Sequence, residues 1–325
     1  MMDAETAALL AQSLERAFRD PDVKEVEAAL DEVGWREALD AEGAAVVPLL
    51  FARQGAANAA SGALDDLLVS SLGLPAGPGT AFVLPEFGTF APPGSVRSGG
   101  LAVRGLGGAR TAAADRAVVL AEQPDGALSA VVVDAEKLDA RPVGGVDPRL
   151  GLAAIEVRDV PAPGGAPITR AAWDAALAAG RLALAHELIG ASRTMLRLAR
   201  EHAVTRVQFG KPIGAFQAVR HRLAECLVAV EGAEAAATAA IGADGEVSPL
   251  LAGIAKAVAG RCARTVARHC QQVLAGVGFT EEHDFHRYFR RVLTLDGLLG
   301  DARTLTRSLG EDLLRERRLP AAPPL

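Results

Sequence analysis

Arg206-Val-Gln-Phe-Gly-Lys-Pro-Ile-Gly-Ala-Phe-Gln217 closes one long helical pattern and opens the next. Arg206 offers an anion a forked, charge-assisted donor, worth about 1.5–3 kcal/mol for a hydrogen bond to a charged group. Phe209 offers a ring surface, and Gly210 and Gly214 permit a tight loop with close backbone approach. Gln217 carries an amide head into the following helix. These residue types suit a cradle for a phosphate and a base at a helix junction. Taken alone, they also suit an ordinary inter-helix turn with a solvated arginine and a buried phenylalanine.

Working outward, Thr169 can cap a helix that begins at Arg170 and runs through Trp173, Leu177, Leu184 and Met195 to about Val204. Further helical patterns cover 215–243, 248–276 and 283–312. Four long amphipathic helices in succession predict a bundle over 166–325. Residues 76–165 are rich in Gly and Pro and hold short apolar runs at 81–84, 101–103, 117–120, 130–133 and 152–157, which suits a small middle β domain. Residues 1–75 read as a helical domain, with Leu9, Leu10, Leu14 and Phe18 on one face, Val23 to Glu32 and Ala41 to Val69 continuing the pattern, and Gly34-Trp35 as a helix junction. The expected class is α+β, mostly α, in the order helices, small β domain, four-helix bundle.

Half of the 325 residues are hydrophobic, enough for a sizeable core and two or three domains. A net charge of −6 argues against a nucleic-acid surface. No uncharged apolar run is long enough to span a bilayer, so no membrane partner is expected. The acidic start, Met-Met-Asp-Ala-Glu, lacks a basic n-region before an apolar stretch. Cys226, Cys262 and Cys270 sit in helical patterns, and the expectation is reduced thiols in a cytoplasmic protein.

The junction block resembles the signature of the flavin-dependent acyl-CoA dehydrogenases. The likeness continues through His221-Arg-Leu-Ala-Glu225, through Gln272-Val-Leu-Ala-Gly-Val-Gly-Phe279 and through Glu282-His-Asp-Phe-His-Arg-Tyr-Phe-Arg290. It covers the bundle, about half of the chain. The β domain matches loosely, through Ala114 to Val119 and Ala130 to Asp134, and the N-terminal domain looks shortened, with Gly62 to Leu67 its most family-like piece. The resemblance implies an N-terminal helical domain, a middle β domain and a C-terminal four-helix bundle. It also implies FAD at a subunit boundary. Arg206, Phe209, Gln217, Gln272 and Gly276 would touch the adenine and pyrophosphate of a flavin held mainly by the neighbouring subunit, with Gln208 and Gly278 as secondary candidates.

In that family one glutamate removes the α-proton while hydride leaves the β-carbon. Its two known places correspond here to Leu299, before Gly300, and to Gly180, about twenty-six residues before Arg206. Neither side chain accepts a proton, and a positioned base contributes roughly 10²–10⁴-fold. Glu187 lies two turns further along the Gly180 helix and is expected as a packing or surface residue; Asp296 and Asp301 flank Leu299 but point elsewhere on a helix. The flavin-contacting strand is represented by Val83-Leu-Pro-Glu86, and Gly108 to Ala113 stands where the family has Trp-x-Thr/Ser. The resemblance therefore implies the base-less subunit of a heteromeric α2β2 enzyme, of the kind used in actinobacterial steroid side-chain degradation. Its partners would be a second acyl-CoA dehydrogenase subunit, an acyl-CoA thioester and an electron-transfer acceptor. A self-sufficient enzyme using Glu187, or a scaffold without activity, are the other readings.

His283 and His286 with nearby acids are expected on a surface segment rather than at a metal, and His269 and Cys270 as packing residues. Gly105-Leu-Gly-Gly108 lacks the spacing of a dinucleotide fingerprint.

Overall fold

Asp3 opens the first helix by accepting a hydrogen bond from the Thr6 amide at 2.8 Å, an N-cap of the expected chemistry. The computed structural model describes residues 3–19, 23–97, 100–161, 164–242 and 245–317. Five helices come first: α1 (Ala4–Ala17), α2 (Val23–Val33), α3 (Trp35–Glu42), α4 (Val47–Ala57) and α5 (Ala63–Ser71). Gly34, at φ 73°, forms the junction before α3. The helical pattern over 41–69 is interrupted at Asn58, whose left-handed φ of 53° ends α4. Leu14 and Phe18 are buried, but Leu9, expected on the same face, is 60% exposed.

The middle region is one eight-stranded sheet. Its strands are β1 (Thr80–Leu84), β2 (Gly94–Arg97), β3 (Gly100–Gly107), β4 (Arg116–Glu122), β5 (Leu128–Asp134), β6 (Arg141–Pro142), β7 (Ala153–Pro161) and β8 (Ala166–Ile168). The order is β6-β7-β3-β1-β4-β5-β8, and β1 and β2 lie end to end between β3 and β4. Period-2 alternation divides the core. Phe82, Leu84, Val118 and Leu120 join the cluster shared with the helices, whereas Ala81, Val83, Ala117 and Val119 build a separate core on the other face.

The bundle begins at the Thr169 cap, whose Oγ1 accepts from Ala172 N at 3.1 Å. It comprises α6 (Arg170–Thr205), a hairpin of β9 (Val207–Gln208) and β10 (Lys211–Pro212), then α7 (Gln217–Thr238), α8 (Pro249–Leu274), α9 (Phe285–Gly297) and α10 (Ala302–Glu316). The expected single helix over 283–312 is therefore two. Leu299 and Gly300, at φ 54° and 94°, break it, and Asp301 caps the second piece through Thr304 N at 2.7 Å. α4 crosses α6 closely enough that a Cβ on Gly190 would lie 2.0 Å from Ala52 O, and one on Gly55 2.0 Å from Glu187 O. Glycine is required at both positions. No helix among the described residues is long and apolar enough to cross a membrane.

Candidate functional site

α6 ends where Arg206 N donates to His202 O at 2.9 Å, and the chain turns back through the β9–β10 hairpin. Phe209 and Gly210 occupy its turn, both with positive φ, 53° and 79°. A two-residue hairpin with both central residues at φ > 0 is a type I′ turn, for which Asn-Gly is the favoured pair. A phenylalanine at the first position is an outlier that costs on the order of 1–2 kcal/mol. It is not offset by burial, since Phe209 is 91% exposed. Its ring meets Phe216 edge-on at 6.1 Å, and Lys211 Nζ stands 4.5 Å over Phe216. Ile213 N donates to Arg206 O at 2.8 Å and closes the loop. A Cβ on Gly214 would crowd Ala203 O at 3.0 Å.

The exposed Arg206 guanidinium has no ion-pair partner among the described residues. Gln217 and Gln272 are exposed as well. α7 and α8 run antiparallel, held by the Glu225–His269 pair at 3.2 Å, so the start of α7 and the end of α8 share one end of the bundle. Gly276 follows there with no atom within 4 Å of a notional Cβ, leaving its backbone open to close approach. Burial, then the charges of His283 and Arg206, hold the His202 imidazole below its ordinary range, so the 283 loop faces the same end. The residues expected to reach a neighbour's dinucleotide are thus gathered at one exposed end. Gly278 differs: it is buried under Gln271.

The two positions that could carry a base meet in the interior. A Cβ on Gly180 would lie 2.6 Å from Leu299 Cδ1 and 3.0 Å from Leu68 Cδ2, and Leu299 is fully buried. Arg181 Nε donates to Leu299 O at 3.1 Å, and the buried Lys256 Nζ donates to Asp296 O at 2.9 Å and to Gly300 O at 3.4 Å. Burial pulls the Lys256 ammonium down to about 8. Asp296 is buried, binds Arg264 at 2.6 Å and accepts from Ala302 N at 3.2 Å. Asp301 is the cap of α10. Both aspartates therefore have structural partners, and neither shares a helix with Leu299.

Glu187 is not a surface residue; it is 2% exposed. Seven residues from Gly180, it lies about 10 Å further along the helix axis. Burial, opposed by Arg291, pushes its carboxyl up to about 7. Arg291 Nη1 stands 3.8 Å away, while Arg291 Nε binds Asp147 and Nη1 also donates to Ala59 O. A cavity of about 40 Å³ lies beside Glu187, lined also by Gln54, Ser61, Asp65, Leu84 and Gly108. Asp65 accepts from Phe82 N at 2.7 Å, and burial pushes it up to about 7 despite Arg110. Arg110, in the Gly108 to Ala113 segment, is itself buried against Asp66 and Glu27. The sequence reading missed Arg291 and Arg110. The available signal was that Arg291 falls on the apolar stripe Tyr288–Leu295 of α9.

A larger cleft, about 740 Å³, opens between α6, α8 and α10 beside Arg181 and Phe90, with Asp174, Asp312 and Glu316 around it.

Residues 170–314 match the family model for the acyl-CoA dehydrogenase C-terminal domain. Among curated relatives, the chain is 35% identical over 181 residues to acyl-CoA dehydrogenase IpdE2 of Mycobacterium tuberculosis, covering 54% of this chain and 52% of that protein. It is 43% identical over 121 residues to acyl-CoA dehydrogenase FadE34 of the same organism, covering 36% and 17%. The chain thus spans about half, or less, of these relatives' length. Among solved structures, the ChsE4–ChsE5 complex from Mycobacterium tuberculosis superposes with a TM-score of 0.79 at 22% identity, covering 98% of this chain and 99% of the matched one. A Tcur3481–Tcur3483 steroid ACAD variant superposes with a TM-score of 0.77 at 24% identity, covering 96% and 98%. The fold is that of these proteins.

Proposed function

We propose that this chain, whose residues 170–314 form an acyl-CoA dehydrogenase C-terminal domain, is the base-less subunit of a heteromeric FAD-dependent acyl-CoA dehydrogenase. In an α2β2 assembly it completes a flavin site held mainly by the partner subunit, which also supplies the base and holds the thioester. FAD, when bound, supplies the acceptor for the hydride that leaves the β-carbon as the α,β double bond forms. This chain's contribution is binding and orientation: Arg206 neutralises the pyrophosphate, Phe209 covers the adenine, Gln217 and Gln272 donate amide contacts, and Gly276 lets backbone approach.

The observation that carries this reading is Phe209, 91% exposed and in a left-handed conformation that strains it. Strain of this kind persists where a site uses it. An exposed aromatic beside an unpaired arginine and an open glycine fits the adenine–pyrophosphate half of FAD. The interior does not fit the ring half: the cavity at Leu84 and Gly108 is only about 40 Å³, and Leu299 fills the space at Gly180. The 740 Å³ cleft offers one half-buried arginine against three carboxylates, a poor match for a polyanionic CoA. That asymmetry supports a thioester held by the partner. Two solved relatives bear paired names, one a steroid ACAD, and we extend that substrate class to this chain as a steroid side-chain acyl-CoA.

The test is the visible spectrum, native mass and dehydrogenase activity of the chain purified alone and after co-expression with a candidate partner. Flavin and turnover should appear only in the mixed complex. A lone chain that is yellow and active overturns the proposal.

A further inference from the structure

We infer that the cleft between the Asp147–Leu150 turn and the first turns of α9 is a binding site for a small diphosphate-bearing ligand. None of the residues proposed for the flavin lines this cleft, and only the assembly arm of its test rests on the proposed partner subunit. The cleft measures about 270 Å³ and is lined by Arg149, Arg287, Arg290 and His286. A second cleft of about 270 Å³ shares Arg149 and Arg287 and adds Arg19 and Tyr288. The chain as a whole carries a net charge of −6, so this concentration of arginine runs against its own balance.

Among the described residues, the acids nearby do not neutralise it. Asp147 is committed to the buried Arg291, and Asp284 pairs with Arg287 at 2.9 Å. Glu281 remains, against Arg19, Arg149 and Arg290, which have no ion-pair partner among the described residues. His286 Nδ1 is taken up by His283 O at 2.8 Å, which leaves Nε2 as the free ring nitrogen. Guanidinium groups held on a fixed frame without counter-charges repel one another, and an anion relieves that repulsion.

The frame is rigid. Asp147 anchors the turn that presents Arg149 by binding Arg291 in the interior. Arg290, the next residue on α9, faces out beside it. One helical turn therefore locks the loop with one arginine and presents the other, so little ordering is left for a ligand to impose. Arginine forks from two elements suit phosphate oxygens. Two clefts joined through Arg149 and Arg287 leave room for two linked phosphates.

The test is calorimetric titration of the full chain with pyrophosphate at physiological ionic strength. Saturable binding is expected, weakened roughly tenfold to a hundredfold by Arg149→Gln and by Arg290→Gln. Both side chains are exposed, so circular dichroism should find both variants folded. Arg206→Gln should leave this binding intact, which separates the site from the flavin cradle. Repeating the titration on the complex with the partner subunit identifies the source. Binding lost on assembly assigns the cleft to a partner-held dinucleotide; binding retained assigns it to a free phosphorylated ligand. No saturable heat, equal affinity in both cleft variants, or loss only in Arg206→Gln overturns the inference.

Discussion

The Arg206–Gln217 junction leaves the end of α6, and Gly180 and Glu187 of the same helix line the interior, Gly180 beside Leu299, yet the two regions obey opposite rules. At the junction, polar groups are left without protein partners, and a phenylalanine is held in a strained turn in open solvent. In the interior most charges are answered, Arg291 by Asp147, Arg110 by Asp66 and Glu27, Asp296 by Arg264, while Glu187 Oε1 and Arg291 Nη2 lack a hydrogen-bond partner among the described residues. A protein that satisfies its interior while leaving one end unsatisfied directs that end outward, to a ligand or a partner. The base-less subunit we propose fits the same contrast, because Leu299 fills the space beside Gly180.

The largest test of the contrast is to break the interior. Arg291→Met leaves Asp147 and Glu187 buried without their cation. Loss of one partner of a buried pair costs roughly 3–5 kcal/mol, which a urea melt of the lone chain should register. A loss below about 1 kcal/mol would mean that the network is not what joins the sheet to α9.

Next is pH. Asp65 and Glu187 are both pushed up to about 7 by burial. Between their ordinary values near 4 and the folded values near 7, the folded state binds more protons than the unfolded one. Stability therefore falls as pH rises through that window, by up to a few kcal/mol for each group, and these two groups add no slope below it. Glu187→Gln should remove its share of the slope. The same substitution should leave turnover of the mixed complex within about twofold, whereas loss of a true base would cost roughly 10²–10⁴-fold. A collapse of turnover would make Glu187 the base and end the shared-site reading.

Much of the fold was legible because it is periodic. The Thr169 cap, the long α6 and the five apolar runs that became strands all follow from local pattern. The break at Leu299–Gly300 was not, because leucine in a left-handed conformation leaves no local signature and the apolar period continues through it. The interior network was illegible for a different reason. Arg291 finds Asp147 and Ala59 at sequence separations of 144 and 232 residues, a pairing that only the tertiary structure creates. The junction residues were grouped by their resemblance to a family motif and lie together at one exposed end of the bundle, but nothing in the sequence told that Phe209 would be strained.

On the exposed side, Arg206→Gln and Phe209→Ala should each weaken FAD retention by the mixed complex roughly tenfold to a hundredfold, measured by flavin release on dilution. Neither should lower the melting temperature of the lone chain appreciably, since both side chains lie in solvent. A shared loss of stability would mean that the junction packs against its own fold after all.

The smallest effect discriminates most sharply, because its two readouts have opposite signs. Phe209→Asn converts the hairpin turn to Asn-Gly, the pair that a type I′ turn prefers. Relief of the left-handed strain favours the variant by about 1 kcal/mol or more, and loss of the edge contact with Phe216 opposes it by somewhat less. The lone chain should therefore be no less stable, and more stable by up to about 1 kcal/mol. The complex should nonetheless lose flavin affinity, as asparagine offers no ring to the adenine. A residue that is worse for its own chain and better for the assembly is kept for the assembly. If Phe209→Asn destabilises the lone chain and leaves flavin binding unchanged, Phe209 is a packing residue, and the outward-facing half of the comparison fails.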